Sequence, residues 1–205
     1  KAMVELDSYP DFITVDGGEG GTGAAPPEFS NFVGMPLLDG LAFVDNILKG
    51  FGIRHHIKVG ASGKILTGFQ ILRAVALGAD MCNSARAMMM AVGCIQALEC
   101  NKNTCPAGVA TQDPDLVVGL DVDDKKVRVA NFHKNTVESF VELMSASGIE
   151  TPSKLNRHQI YRRIFMNEVK TLEEIYPSIP TGSMINGGVP DGYRKSFEAA
   201  SSDKF

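Results

Sequence analysis

Three times along its first half, the chain runs a short strand-like segment into a loop of small residues and then into an amphipathic helix. The strand candidates are Phe12-Ile13-Thr14-Val15, His56-Ile57-Lys58-Val59 and Ala79-Asp80-Met81-Cys82-Asn83. A repeated strand–loop–helix unit means parallel strands joined by helical crossovers. Leu41, Val44, Ile47 and Leu48 predict a helix over 39–50. Thr67 is placed to cap a second helix that Gly78 ends, and a third leads from Ser84 toward Cys94. Two α/β folds meet this pattern, an open doubly wound sheet and a (β/α)8 barrel. Three units do not close a barrel, which runs to ~250 residues. Either further strands precede these, or the sheet is open.

From Asp113 the character changes. Asp121, Asp123, Asp124, Lys125 and Lys126 read as a charged, solvated linker. Val129, Phe132, Val137, Phe140, Val141 and Met144 predict an amphipathic helix over 125–147, and a second is expected over 157–169. The tail from Tyr176 carries Pro, Gly and Ser at intervals and is expected to be irregular.

The loops after the strands bear on chemistry. Gly18-Glu19-Gly20-Gly21-Thr22-Gly23 matches G-x-G-x-x-G after a predicted strand. The dinucleotide fingerprint also needs a helix opening at the third glycine, and the tandem Pro26-Pro27 disfavours one. Such backbone instead lets a flat ring or a carboxylate approach closely. Gly60-Ala61-Ser62-Gly63 and Asn83-Ser84-Ala85-Arg86 each join a strand to a helix. Small residues there expose backbone N–H groups at helix N-termini, which favour anions, and barrels often seat a phosphate between the loops after their last two strands. Arg86 reads equally as a phosphate contact and as a solvated first-turn residue.

Cys94, Cys100 and Cys105 form a C-x5-C-x4-C-P run closed by Pro106. The first is expected on an apolar helix and the other two in a polar loop. Thiolates this dense, in a chain with four cysteines, point to a metal rather than a disulfide. Three sulfurs followed by proline fit an iron–sulfur cluster better than a four-cysteine zinc site, and a zinc-stabilised structural domain stays as an alternative. Cys82 reads as a small core residue, His55 and His56 as a strand-edge pair, and Met88, Met89 and Met90 as core filler. Neither His133 nor His158 belongs to a constellation.

A net charge of −4 gives no basic surplus for nucleic acid. No apolar run approaches the ~20 residues of a membrane span. The cysteine usage fits a reducing compartment, and a cytoplasmic location is expected. A chain beginning at Lys1 is expected to be a fragment or a processed product.

The segment Asn103-Thr104-Cys105-Pro106-Ala107-Gly108-Val109-Ala110-Thr111-Gln112-Asp113-Pro114 closely resembles the cluster segment of the glutamate synthase large subunit, as does the spacing of the three cysteines. Gly20-Gly21-Thr22-Gly23-Ala24-Ala25-Pro26 is similar to that family's loop over flavin and substrate, with Glu19 where better-known members carry Asp. The resemblance is strong over 11–115, thins through 125–165 and is not seen beyond 170. It implies an α/β fold: about the last three βα units of a (β/α)8 TIM barrel with C-terminal helices. Residues 1–165, with the iron–sulfur loop 94–106, would be the C-terminal part of an FMN-binding barrel, and 166–205 an extension. By resemblance, Cys94, Cys100 and Cys105 hold a [3Fe-4S] cluster. Gly60, Ser62, Gly63, Ser84, Ala85 and Arg86 line the FMN phosphate, and Gly20, Gly21, Thr22 and Gly23 lie near flavin and substrate.

The reaction implied is reductive synthesis of L-glutamate from 2-oxoglutarate. Ammonia released from glutamine in another domain forms 2-iminoglutarate, which reduced FMN then reduces. The implied partners are 2-oxoglutarate, ammonia or glutamine, the remainder of the barrel, and an electron donor that is ferredoxin or depends on NAD(P)H; an oligomer is expected. Substrate residues lie mostly on upstream strands in the family, and catalytic residues are not assigned. This chain is therefore expected to be the C-terminal half of a longer flavoprotein and inactive alone. Alternatives are a related flavoprotein of N-methylglutamate synthase type and a non-catalytic electron-transfer or scaffold subunit.

Overall fold

The computed structural model describes residues 1–19 and 25–203. In chain order the helices and strands are α1 (Ala2–Glu5), β1 (Phe12–Asp16), α2 (Pro27–Phe32), α3 (Leu37–Gly50), β2 (Lys58–Ser62), α4 (Gly68–Ala76), β3 (Met81–Asn83), α5 (Ala85–Val92), α6 (Pro114–Val117), α7 (Val122–Ala146), β4 (Tyr161–Phe165), β5 (Glu168–Thr171), α8 (Leu172–Ile175) and α9 (Asp191–Ala199). Strands β1, β2 and β3 form a parallel sheet in that order, and β4 and β5 form an antiparallel hairpin. The three strand–helix units expected from sequence are present.

Side chains alternate across the sheet. Ile13, Val15, Val59, Ala61 and Cys82 belong to the core, together with Leu41 and Leu48 of α3 and Leu72 and Leu77 at α4. The opposite face carries Phe12, Thr14 and Asp16 of β1, Lys58, Gly60 and Ser62 of β2, and Met81 and Asn83 of β3. That face is bare: Phe12, on a strand expected to be buried, is 60% exposed.

Local chemistry sets the helix ends. Thr67 caps α4 and Gly78 follows its C-cap at φ +111°, as the sequence led one to expect, and Gln70 completes a reciprocal capping box with Thr67. Helix α3 starts at Leu37 behind Pro36, two residues before the expected position. The proline pair does not exclude a helix: Pro27 is the first residue of α2, where no backbone N–H is needed. Strand β2 starts at Lys58, because His55 and His56 lie in the turn before it, where His56 stacks on Tyr9 at 5.2 Å.

Helix α7 packs on α4 and α5. The expected charged linker is its beginning: Asp121 caps it by accepting from the N–H groups of Asp123 and Asp124. Met144 is buried, Phe140 packs against the core, and Val137 and Val141 are exposed. The helix expected over 157–169 is absent. A single 3-10 turn at Arg157–Gln159, capped by Asn156, runs into the β4–β5 hairpin. Tyr161, Ile164, Phe165 and Val169 suit pleated strands, and the hairpin partner decides between strand and helix. The tail is more regular than expected. Its helix α9 lays Tyr193 and Phe197 against the core, and Met184 is buried.

Candidate functional site

Three strand ends come level at one edge of the sheet. Asp16 pairs in register with Ser62, and Ser62 with Asn83. All three lie on the bare face. The loops that leave them therefore begin side by side, at the C-terminal ends of parallel strands, where ligands of α/β folds bind.

The sequence placed Gly60, Ala61 and Ser62 in the second loop, but they belong to β2 and only Gly63 lies beyond it. Gly60 sits inside the sheet between Thr14 and Met81; a Cβ there would lie 3.2 Å from Thr14 Oγ1. Gly63, at φ +150°, packs on Leu37 and Gly17: an added Cβ would come 3.2 Å from Leu37 Cβ and 3.4 Å from the Gly17 nitrogen. Gly17 donates to the Ser62 carbonyl at 2.7 Å, which binds the first loop to the second. Gly20, Gly21, Thr22 and Gly23, expected near flavin and substrate, lie outside the described residues.

Ser84 joins the second and third loops by donating its hydroxyl to the Ile65 carbonyl at 2.7 Å. Its side chain is thus not used to cap α5, the helix that Ala85 and Arg86 open. Among the described residues the first turn of α5 has no side-chain cap, in contrast to α4 with its Thr67 cap. An uncapped helix start beside two converging loops is suited to a phosphate.

The sequence did not reveal the role of Glu19. Its two carboxylate oxygens accept the Leu37 N–H at 3.0 and 2.9 Å, so it caps α3 from 18 residues away. Its only sequence signal is a carboxylate beside the glycines, with nothing to indicate the distant partner.

Helix α5 ends at Val92, and Gly93 takes the left-handed conformation at φ +118°. Cys94 therefore follows the helix instead of standing on it, with its N–H bonded to the Met89 carbonyl at 2.9 Å. The Gln96 N–H reaches the Cys94 sulfur at 3.4 Å. Glu99 ties the loop by accepting from Lys102 at 3.2 Å and from the Thr104 hydroxyl at 3.0 Å. Asn103, at φ +63°, accepts from the Gln112 N–H at 2.7 Å and closes the loop behind Cys105.

Cys105 is buried and Cys94 and Cys100 are half-buried, all three as free thiols. The backbone N–H of Ala110, with those of Ala107, Val109 and Gly108, holds the Cys105 thiol below the ordinary cysteine value, against a burial that works the other way. Amides converging on sulfur stabilise a thiolate, the form that ligates metal. Among the described residues no three His, Cys, Asp or Glu side chains are arranged to hold a metal ion. The loop thus has thiolate-favouring surroundings without drawing its three sulfurs to one point. Cys82 differs: burial alone pushes its thiol up to about 11.

The family model described as the conserved region in glutamate synthase matches residues 2–150. The chain is 48% identical over 162 residues to the glutamate synthase large subunit-like protein YerD of Bacillus subtilis, covering 78% of this chain and 31% of that protein. It is 40% identical over 168 residues to the archaeal glutamate synthase [NADPH] of Methanocaldococcus jannaschii, covering 81% and 32%. It is 30% identical over 187 residues to the glutamate synthase [NADH] of Saccharomyces cerevisiae, covering 90% and 9%. The chain thus spans about a third of the length of the first two relatives and less than a tenth of the third.

Proposed function

The chain belongs to the glutamate synthase family, and from that premise we propose that it forms part of an oxidoreductase making L-glutamate from 2-oxoglutarate and glutamine-derived ammonia. The observation that carries the reading is the match of residues 2–150 to the conserved glutamate synthase region, which contains both the strand-end loops and the cysteine loop. In this reading the sheet is the last part of a (β/α)8 barrel. The bare face with Phe12, Thr14, Lys58 and Met81 then points to the barrel interior, where side chains from all strands pack in layers. Residues 1–165 form the barrel part and 166–205 an extension.

The chemistry of the residues, though not yet the placement of the three sulfurs, supports FMN and a [3Fe-4S] cluster on two counts. The uncapped start of α5, at Ser84, Ala85 and Arg86, lies on the loop that Ser84 binds to the one after Gly63. This suits the flavin phosphate, with Gly60 and Ser62 on the adjoining strand and Gly20, Gly21, Thr22 and Gly23 as the flavin and substrate loop. Cys94, Cys100 and Cys105 suit the cluster, since Cys105 lies among backbone amides that favour its thiolate. When bound, the cluster passes electrons singly and FMN delivers them as a hydride.

This chain's own part is binding and orientation. The α5 amides would hold the phosphate dianion. Glu19 locks the first loop onto α3, and Ser84 locks the second loop to the third, so both stay level with the strand ends. The loop 94–106, following directly on α5, would carry the three thiolates that hold the cluster. Ferredoxin or an NAD(P)H-dependent partner supplies the electrons, the rest of the barrel supplies the substrate groups, and the assembly is an oligomer in the cytoplasm. Among the described residues no helix is long and apolar enough to cross a membrane.

The test is iron, sulfide and flavin analysis of the full-length protein purified without oxygen. The expected result is a yellow-brown protein that loses iron in Cys100→Ser and keeps at least part of its flavin. Unchanged iron in that variant overturns the ligand assignment. A colourless protein with stoichiometric zinc overturns the redox reading.

A further inference from the structure

A cavity of about 410 Å³ lies where the β2–α4 loop, the start of α3, helix α4 and the C-terminal hairpin meet, with Glu19 and Gly63 of the strand-end loops in its lining. Three cations from three elements line it: Lys64 after β2, Arg73 on α4 and Arg162 on β4. Among the described residues none of the three makes an ion pair. The Arg73 Nε is buried without a hydrogen-bond partner, its guanidinium 5.5 Å from the centre of the Phe69 ring. Burial weakens the hold of Arg73 on its proton, the charge of Arg162 adds to that, and Tyr176 acts in the opposite sense. The partly buried Arg73 guanidinium, repelled by Arg162 and without a counterion among the described residues, has its desolvation uncompensated.

Two carboxylates line the same cavity, and both are otherwise engaged. Glu19 is turned onto the Leu37 N–H, and Asp39 accepts from the Tyr176 hydroxyl at 3.4 Å. Neither reaches Arg73 or Arg162 at ion-pair distance. Lys64 donates to the neutral Asn31 Oδ1 at 3.4 Å.

We propose that this cavity binds a small anion through a carboxylate or phosphate group held between Arg73 and Arg162. The planar fork of arginine pairs with such oxygens through two parallel hydrogen bonds. The anion neutralises both guanidinium groups and gives the buried Nε an acceptor. It also links α4 to the β4–β5 hairpin and fixes Lys64, the residue that follows Gly63. The proposal goes beyond glutamate synthesis and stands on the cavity alone, so it is tested without reference to turnover.

The experiment takes the full-length, cofactor-loaded protein in chloride buffer. Inorganic phosphate and malonate are titrated separately at constant ionic strength, with heat and melting temperature as readouts. At least one of them should saturate a single site per chain and raise the melting temperature. Saturation by phosphate alone assigns a phosphate ligand, by malonate alone a carboxylate, and by both a shared oxyanion site. Arg162 is exposed on the hairpin, so Arg162→Gln keeps the fold. It should weaken binding roughly 10- to 100-fold, as the loss of a charge-assisted bond implies. Arg73→Lys, which keeps the charge and loses the fork, should also weaken it. Heat that never saturates, or saturation that Arg162→Gln leaves unchanged, overturns the proposal.

Discussion

Arg157 Nη2 lies 2.7 Å from Asp45 Oδ2, a pairing across 112 residues of sequence with both side chains buried. Asp45 also meets Lys49 at 2.7 Å and Arg54 at 3.0 Å, and Arg157 donates its other arm to the Tyr176 carbonyl at 2.7 Å. One carboxylate on α3 thus holds the turn before the hairpin and the chain after α8. Asp45→Asn leaves Arg157 buried without its counter-charge. We expect a loss of about 3–5 kcal/mol, read as an earlier urea transition. A change below ~1 kcal/mol, the size of an exposed pair, would show that this cluster does not hold the C-terminal segment.

Thr67 carries a smaller, local share. Its hydroxyl accepts the Gln70 N–H at 3.3 Å, while the Gln70 side chain accepts the Thr67 N–H at 3.1 Å. Thr67→Ala should lower stability by ~1 kcal/mol, and Thr67→Ser should keep most of it. Equal losses in the two variants would mean that the methyl group matters and the cap does not.

Asp80 gives stability a dependence on acid. Burial raises its carboxyl pKa, but the Val59 N–H at 2.8 Å and Arg54 at 2.8 Å outweigh that and leave it below the usual carboxylate value. A depressed folded-state value contributes stability that is present above the unfolded pKa of about 3.9 and fades as pH falls through the folded one. Asp80→Asn should therefore melt lower than the parent at pH 7, with the gap closing below about pH 4. A gap that stays constant down to pH 2 would assign the effect to shape rather than charge.

The thiols should separate by reactivity. Only thiolate is alkylated, and Cys82 at about 11 is almost wholly protonated at pH 8. Native-state iodoacetamide labelling of metal-free protein, mapped by mass spectrometry, should modify Cys94 or Cys100 well before Cys82. Early labelling of Cys82 would contradict its raised thiol pKa.

What could be read from sequence was mostly local. The Thr67 cap, Gly78 after α4 and the short strand runs act over a few residues, and the structure has them in place. The strand-end loops and the cysteine spacing were visible for the same reason. Distant partners were not. Glu19 finds its helix 18 residues on. Arg157 finds Asp45 112 residues back. The stretch 157–169 looked helical until β5 offered Tyr161 and Arg163 antiparallel neighbours in Thr171 and Val169. Gly93 was a subtler case: its left-handed turn moves Cys94 off the helix, and an apolar run alone does not tell a last turn from the residue beyond it.

Among the described strands β1 and β3 each have a neighbour on one side only, so the sheet ends in two open seams. Amide and carbonyl groups along such a seam accept any extended segment that arrives first, including β1 of a second copy. Crowding at high concentration would then compete with correct closure, and the yield of well-behaved protein would depend on which strand docks soonest.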